Sequence, residues 1–440
     1  MSIPTLQGLQ TALSGLMANQ DSLDVAGQNI ANAETPGYSR ETAVLETSPS
    51  LVVPALSPTT GDGADIGTGV GVETIVRIRD SYLESQFQSE NSSLASASTL
   101  AETLEQVQGA LGDSSSSGLP DQLSSFWSAW NELADSPTDV AAREAVVGDG
   151  TQLAGSIKQL GTEIGGAATE ASARFETLTG AGGEVHSDAE QIAQLNVQIK
   201  TSEQAGQEPN ELLDRREELV NQLSGFADVS VSEGAFGTDT IAFGGSKTPL
   251  VEGSTVNWPP TLTASSGGQL GALLSLTGPT GRLAALQEAL DGVAESLAGT
   301  VNALQPTTPF FSFTAGEAAT SLAVSATAAQ IQTGAAGEPG SNTLALAIAG
   351  LRGGEAEQLY SAFVTGVGSD VQTANANVAN AEAMLSAVSS QQQSVSGVSL
   401  DEEMTNMMTF QRGYEASARV MTVMDSLLET LIEHTGTAGL

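Results

Sequence analysis

Residues able to do chemistry are few in this chain of 440 residues, and their spacing does not favour it. The two histidines, His186 and His434, lie far apart and neither belongs to an H-x-x-x-H or similar ligand pattern, so they read as surface residues. The absence of cysteine excludes a disulfide, a thiol nucleophile and a thiolate metal site. Asp62 and Asp65 sit in Gly61-Asp62-Gly63-Ala64-Asp65, which lacks the ligand spacing and closing glutamate of an EF-hand and reads as a solvated turn. Gly67, Gly69 and Gly71 alternate without the order G-x-G-x-x-G, and Gly244-Gly245-Ser246-Lys247 lacks the first glycine of a phosphate loop; both read as turns between strands. Arg215-Arg216 is the only adjacent basic pair, and Glu211 and Glu218 are spaced to pair with it along one helix. Trp127 and Trp130, at helical spacing, read as core. These residues imply no catalytic set, metal or cofactor, and a chain that is not an enzyme. A secreted adhesin or surface hydrolase would need a binding site or acid–base pair in the middle of the chain, where the sequence offers none.

Charge narrows the partners. Fourteen Lys and Arg against 52 Asp and Glu give a net charge of −38, which excludes nucleic acid, whose phosphates need clustered cations. No stretch approaches the roughly 18 consecutive apolar residues of a membrane span. Met1 to Gln20 has neither a basic residue nor an apolar run, so it does not read as a cleavable signal peptide. The reading is of a soluble, acidic chain, cytoplasmic or exported by an unusual route, whose charge keeps copies apart. With 40% hydrophobic but only 4% aromatic residues, its core is expected to be mostly Ala, Val, Leu and Ile.

The elements that would position these residues follow from apolar periodicity. Leu6, Leu9, Leu13, Leu16, Gln20, Leu23, Gly27 and Ile30 step by three and four, the seam of a coiled-coil helix over residues 1–35. Ala31 to Tyr38, with its Pro-Gly turn, ends that helix, and an extended, β-hairpin segment is expected over 36–80. Helical spacing then predicts a bundle over 81–227, a β-rich module over 228–276 and a helix returning to the bundle over 277–305. A variable β/loop segment at 306–354 and a long bundle helix at 355–395 precede a break at Val395-Ser396-Gly397 and a C-terminal coiled-coil helix over 396–440. That last helix carries two seams, Leu400, Met404, Met407, Gln411, Tyr414, Ala418 and Met421 beside Phe410, Val420, Met424, Leu427 and Leu431, a face too wide for one partner helix. The fold class is therefore mainly α with smaller β-rich modules: terminal coiled-coil helices, a central multi-helix bundle and an inserted small β domain. The pattern fits terminal helices that pair inside one compact domain, and equally ends that pair with each other and with neighbouring subunits.

Several of these stretches carry a family likeness. Ala12-Leu13-Ser14-Gly15-Leu16, Asn29-Ile30-Ala31-Asn32-Ala33 and Thr35-Pro36-Gly37-Tyr38-Ser39-Arg40 resemble the N-terminal signature of bacterial flagellar rod, hook and hook-associated proteins. Ser396 to Met404, Phe410-Gln411, Tyr414 and Ala416 to Val420 look like the ending of the hook-associated members. Phe126 to Ala134 with Ala141 to Val146, and Ile192 to Asn196 with Asn210 to Arg216, are similar to their helical domain. The likeness covers about residues 3 to 305 and 355 to 434. Gly413 departs from it, standing where the family usually has Ala, at about 1 kcal/mol of helix propensity. The β-rich middle is also short, so an outer domain of longer relatives is reduced or missing.

The resemblance implies a structural component of the flagellar hook–filament junction, exported through the flagellar apparatus and extracellular; the alternative, another axial component such as hook protein or the second junction protein, fits the internal Trp and Arg-Arg stretches less well. It implies hook protein, a second junction protein or flagellin as neighbours, self-assembly in a helical ring, and an export chaperone. The terminal helices would line an inner tube and the β-rich part would face outward. Leu6, Leu9, Leu13, Leu16, Leu23 and Ile30 would form one wall of the subunit interface. Met404, Met407, Tyr414, Met421, Leu427, Leu428 and Leu431 would form the other, where flexible methionines adapt to differing neighbours.

Overall fold

The computed structural model describes residues 4–53, 64–112, 118–335, 338 and 340–435. Helix α1 (Pro4–Asn32) stops where the Asn32 carbonyl accepts the Thr35 N–H and Gly37 takes a φ of 78°, a conformation open to glycine. The reversed chain enters four strands, β1 (Glu41–Thr47), β2 (Leu51–Val53), β3 (Ala64–Ile66) and β4 (Val70–Arg77). β1 pairs antiparallel with β4, from Glu41 opposite Arg77 to Thr47 opposite Val70 with a bulge after Val44, and β2 pairs with β3.

Five long helices follow: α2 (Ser81–Ala110), α3 (Leu119–Asp135), α4 (Val140–Thr179), α5 (Glu184–Gln204) and α6 (Asn210–Phe226). Asp80 and Asp139 start α2 and α4 by accepting the orphan N–H groups of Tyr82, Leu83 and Ala141. A four-stranded antiparallel sheet comes next, in the order β5 (Val229–Glu233), β6 (Asp239–Phe243), β7 (Val251–Glu252), β8 (Thr255–Val256). Then come α7 (Gly268–Thr277), α8 (Arg282–Ala303), β9 (Phe311–Ser312), α9 (Ala318–Ser321), β10 (Ala323–Val324), α10 (Thr343–Ala349), α11 (Glu355–Ser396) and α12 (Leu400–Thr435). The molecule is mainly α with small antiparallel sheets, and α11 ends at Ser396 within the expected break.

Two hydrophobic cores hold these elements. The first joins α2, α3, most of α4, α8 and α11, with Leu283, Leu286, Leu290, Val293, Leu297 and Val301 of α8 all buried. At its centre Phe126, Trp127, Trp130, Phe310 and Phe311 meet with ring centroids from 4.8 to 6.3 Å apart. Five of the scarce aromatics, including two of the 3 Trp, thus meet at one point. Gly150 of α4 makes room for them, because a Cβ there would lie 2.8 Å from the Phe310 ring.

The second core sets the end of α4, α5, α6 and α7 against Ile241, Phe243, Leu250 and Val251 of the sheet region. The helices of 81–227 therefore divide between two cores. The strands of the 228–276 module end at Val256, and its last part forms α7, whose Leu270 and Leu273 pack under the sheet. Residues 306–354, expected as a variable β/loop segment, form β9 and β10 and in addition α9 and α10, and Phe310, Phe311, Ile331 and Ile348 enter the first core.

Candidate functional site: the terminal helix pair and its clasp

α1 and α12 lie antiparallel, and small residues set their approach. Gly8 faces Met424, Gly15 faces Ser417, and Gly413 faces Asn19. The buried side of α1 is Ala12, Ala18, Ser22, Val25, Ala26 and Asn29, one step around the helix from the leucine seam. Leu9, Leu16, Leu23 and Ile30 are half-buried, whereas Leu13 is 45% exposed and neighbouring Met17 57%. On α12, Met407, Met421 and Leu428 are half-buried, while Met404 (55% exposed), Tyr414 and Leu427 point into solvent. The side chains of Leu6, Leu431 and His434 lie outside the described residues. Met408, Val420, Val423 and Ile432 extend the exposed apolar surface of α12.

Where this pair meets the bundle, the signature residues interlock. Asn29 receives the Tyr38 hydroxyl (2.8 Å) and the Glu41 N–H (2.9 Å) on Oδ1, and its Nδ2 donates to the Glu41 carbonyl (2.9 Å) and to Glu403 (3.3 Å). Arg40 reaches both Glu403 (2.8 Å) and Glu402 (2.9 Å) of α12, and its backbone N–H donates to the Ser396 carbonyl at the end of α11. Asp214 of α6 accepts the Ser39 N–H (3.1 Å), the Ser39 hydroxyl (2.9 Å) and Arg77 (2.7 Å). Asn210, one turn earlier, donates to the Ile75 carbonyl of β4. Arg79 completes the joint against Glu84 and Glu217.

The clasp thus ties α1, the β-hairpin, α6 and α12 through side chains that sequence motifs mark without assigning them roles. Three of the eleven arginines gather here in a chain with a large acidic excess. Burial pulls the Arg79 guanidinium down to about 10 and raises the carboxyls of Glu41 and Glu84. Charges this sheltered are costly unless paired, so removing one partner should open the joint.

The remaining candidates for chemistry are occupied structurally. Arg216 is not half of an intrahelical ion pair: it turns inward to Asp239 of β6 (2.9 Å), Asn196 of α5 (2.9 Å) and the Gly237 carbonyl (2.5 Å). Burial lowers its pKa and raises that of Asp239 to about 6. His186 is half-buried, with its side chain 20% exposed, and packs edge-on to Trp258 at 4.6 Å. Trp127 and Trp130 are core, the former donating its indole N–H to Glu357 at 2.6 Å. Gly244 and Gly245 take positive φ in the turn after β6. Asp62 lies outside the described residues, and Asp65 falls in β3.

Comparison with known proteins gives the clasp a context. Residues 9–38 match the family "Flagella basal body rod protein", 104–265 the "Flagellar hook-associated protein FlgK helical domain", and 389–433 the "Flagellar basal body rod FlgEFG protein C-terminal". Of the clasp, Asn29 and Tyr38 fall in the first of these segments, Asn210, Asp214 and Glu217 in the second, and Glu402 and Glu403 in the third. The chain is 29% identical to flagellar hook-associated protein 1 of Bacillus subtilis over 509 aligned residues, covering 99% of each. It is 32% identical to the protein of the same name in Salmonella typhimurium, over 56% of this chain and 42% of that one, and thus spans less than half of the enterobacterial relative. A solved structure, the flagellar hook junction protein FlgK from Burkholderia pseudomallei, aligns with a TM-score of 0.45 and 24% identity over 52% of this chain and 47% of that one. With its near-complete alignment to one such protein and the rod signature, helical domain and C-terminal helix each matched, this chain is similar to flagellar hook-associated protein 1 along nearly its whole length and is a structural component of the bacterial flagellum.

Proposed function

We propose that this chain is an adaptor of the hook–filament junction that polymerises through α1 and α12, with hook protein on one side and a second junction protein or flagellin on the other. The observation that carries this reading is the exposed apolar flank of the helix pair. Leu13, Met17, Met404, Met408, Val423 and Leu427 stay in solvent although each helix already has an intramolecular partner. Such a surface is a liability in a monomer and an interface in an array. A head-to-tail contact whose rotation does not close would stack copies helically, and the half-buried leucines and methionines at the edge of the pair would join that interface.

The chain acts by assembly and not by catalysis in this reading. It reaches the cell exterior through the flagellar export apparatus, escorted by a chaperone. Its lack of cysteine suits a chain that travels unfolded, and none of the described helices is long and apolar enough to cross a membrane. Deleting residues 400–440 tests the reading: the remainder should stay soluble and folded by circular dichroism, while cells carrying it make hooks without attached filaments. Filament growth on such hooks would overturn it.

A further inference from the structure

The clasp fixes the register of the terminal helices at one end only, through Asn29 and Glu403. We propose that Asn19 and Gly413 form a second register lock midway along the pair, and so determine which apolar side chains the pair turns outward. A Cβ on Gly413 would lie 2.8 Å from Asn19 Cγ and 3.1 Å from its Nδ2, overlapping the amide. The amide is held in place, since Nδ2 donates to the Gly15 carbonyl at 2.5 Å. Gly413 is therefore the hole that receives Asn19, which gives a reason for the least helix-favouring residue short of proline in the interior of α12.

The neighbouring contacts agree on one alignment. Gly8 with Met424, Gly15 with Ser417, Asn19 with Gly413 and Asn29 with Glu403 all follow a single antiparallel register without a slip. A slip of one turn in one direction sets Asn19 against Phe410, and in the other sets Gly15 against Met421. The first move brings a large side chain to the point that Gly413 leaves open for Asn19, and the second sets Asn19 against Ser417, whose side chain would fill that hole. A polar residue in a helix seam is a known means of specifying register at some cost in stability. This lock acts within one chain and holds whether or not the junction reading does.

The native chain has no cysteine, so Gly15→Cys with Ser417→Cys gives a clean reporter of the register. A Cβ at position 15 lies 4.0 Å from Ser417 Cβ, within the range of about 3.5–4.5 Å that a disulfide spans. The rate of disulfide formation between these cysteines is measured in the full-length protein in glutathione buffer, with the bridge mapped by mass spectrometry. Adding Gly413→Ala should slow bridging by about tenfold, through overlap with Asn19. Adding Asn19→Ala to that variant should restore the rate to within about twofold of the parent. A helix-propensity effect alone would run the other way, since Ala favours the helix. Bridging as fast with Gly413→Ala as without it, or a failure of Asn19→Ala to restore the rate, would overturn the proposal.

Discussion

In the bundle, Phe126, Trp127, Trp130, Phe310 and Phe311 meet ring to ring, each at most 2% exposed, and small residues such as Gly150 lie where space must be made for them. In the terminal pair the arrangement is inverted. Gly8, Ala12, Gly15 and Gly413 occupy the contact, while Leu13, Met17, Met404 and Met408 point away from it. Among the described residues, neither hydrophobic core takes one from α1 or α12. Large side chains inside make a fold that stands alone, whereas large side chains outside leave apolar area for another molecule to cover. The two regions should therefore respond separately to mutation, with a polar clasp between them.

The largest effect is expected in the first core. Trp130→Ala removes a fully buried indole that touches Phe126 and Phe310, and should cost about 3–5 kcal/mol in denaturant unfolding of the full chain. The same variant should leave hydrogen exchange at the free ends of α1 and α12 unchanged. A cost below about 1 kcal/mol would mean that the aromatic cluster is not the stabilising centre of the bundle.

Next comes the clasp. Asp214→Ala leaves Arg77 and Ser39 without their carboxylate, and breaking a buried pair costs about 3–5 kcal/mol. That loss should appear as rapid exchange of the amides in α1 and α12, with α4 and α8 still protected. Equal loss of protection in all four helices would erase the distinction between the two regions.

The second core offers a pH test. Burial first, and Glu184 second, raise Asp188 from the ordinary 3.8 to about 6. Its folded value lies above its unfolded value, so ionisation is penalised in the folded chain. The penalty is absent below about pH 4, grows through pH 6 and is complete at pH 7, with a ceiling of about 3 kcal/mol for a shift of this size. Asp188→Asn should therefore raise the melting temperature at pH 7 and flatten its dependence between pH 4 and 7. A variant that melts lower at pH 7 would show that the carboxylate is used rather than tolerated.

Much of the bundle is legible from periodicity alone, because each apolar residue of the α8 stripe is buried where its spacing puts it. The 306–354 segment is not, since its place in the core depends on two adjacent phenylalanines and isolated small residues without a period. In α1 the leucine seam is visible while the contact with α12 is not. Hydrophobic pattern finds the largest side chains, and here the closest approach belongs to glycine and alanine one step away. Ser39 and Asp214 belong to recognisable motifs, yet nothing local indicates that they meet. Arg216 shows the same limit: its partner Asp239 on β6 is distant in sequence but near in space.

The smallest effect on stability should come from the exposed flank, and there the two regions differ most sharply. Met17→Ser with Met404→Ser removes apolar area that the single chain does not bury, so unfolding should shift by no more than about 0.5 kcal/mol. Filament attachment in cells and self-association of the purified protein by sedimentation should nevertheless fall steeply, because the lost area is what a neighbouring copy would cover. Ala12→Leu provides the opposite case: it forces bulk into the buried contact with α12 and should disturb the pair itself. If the serine variant destabilised the monomer as much as the leucine variant, Met17 and Met404 would belong to the fold. The outward face of the pair would then have no claim to be an assembly surface.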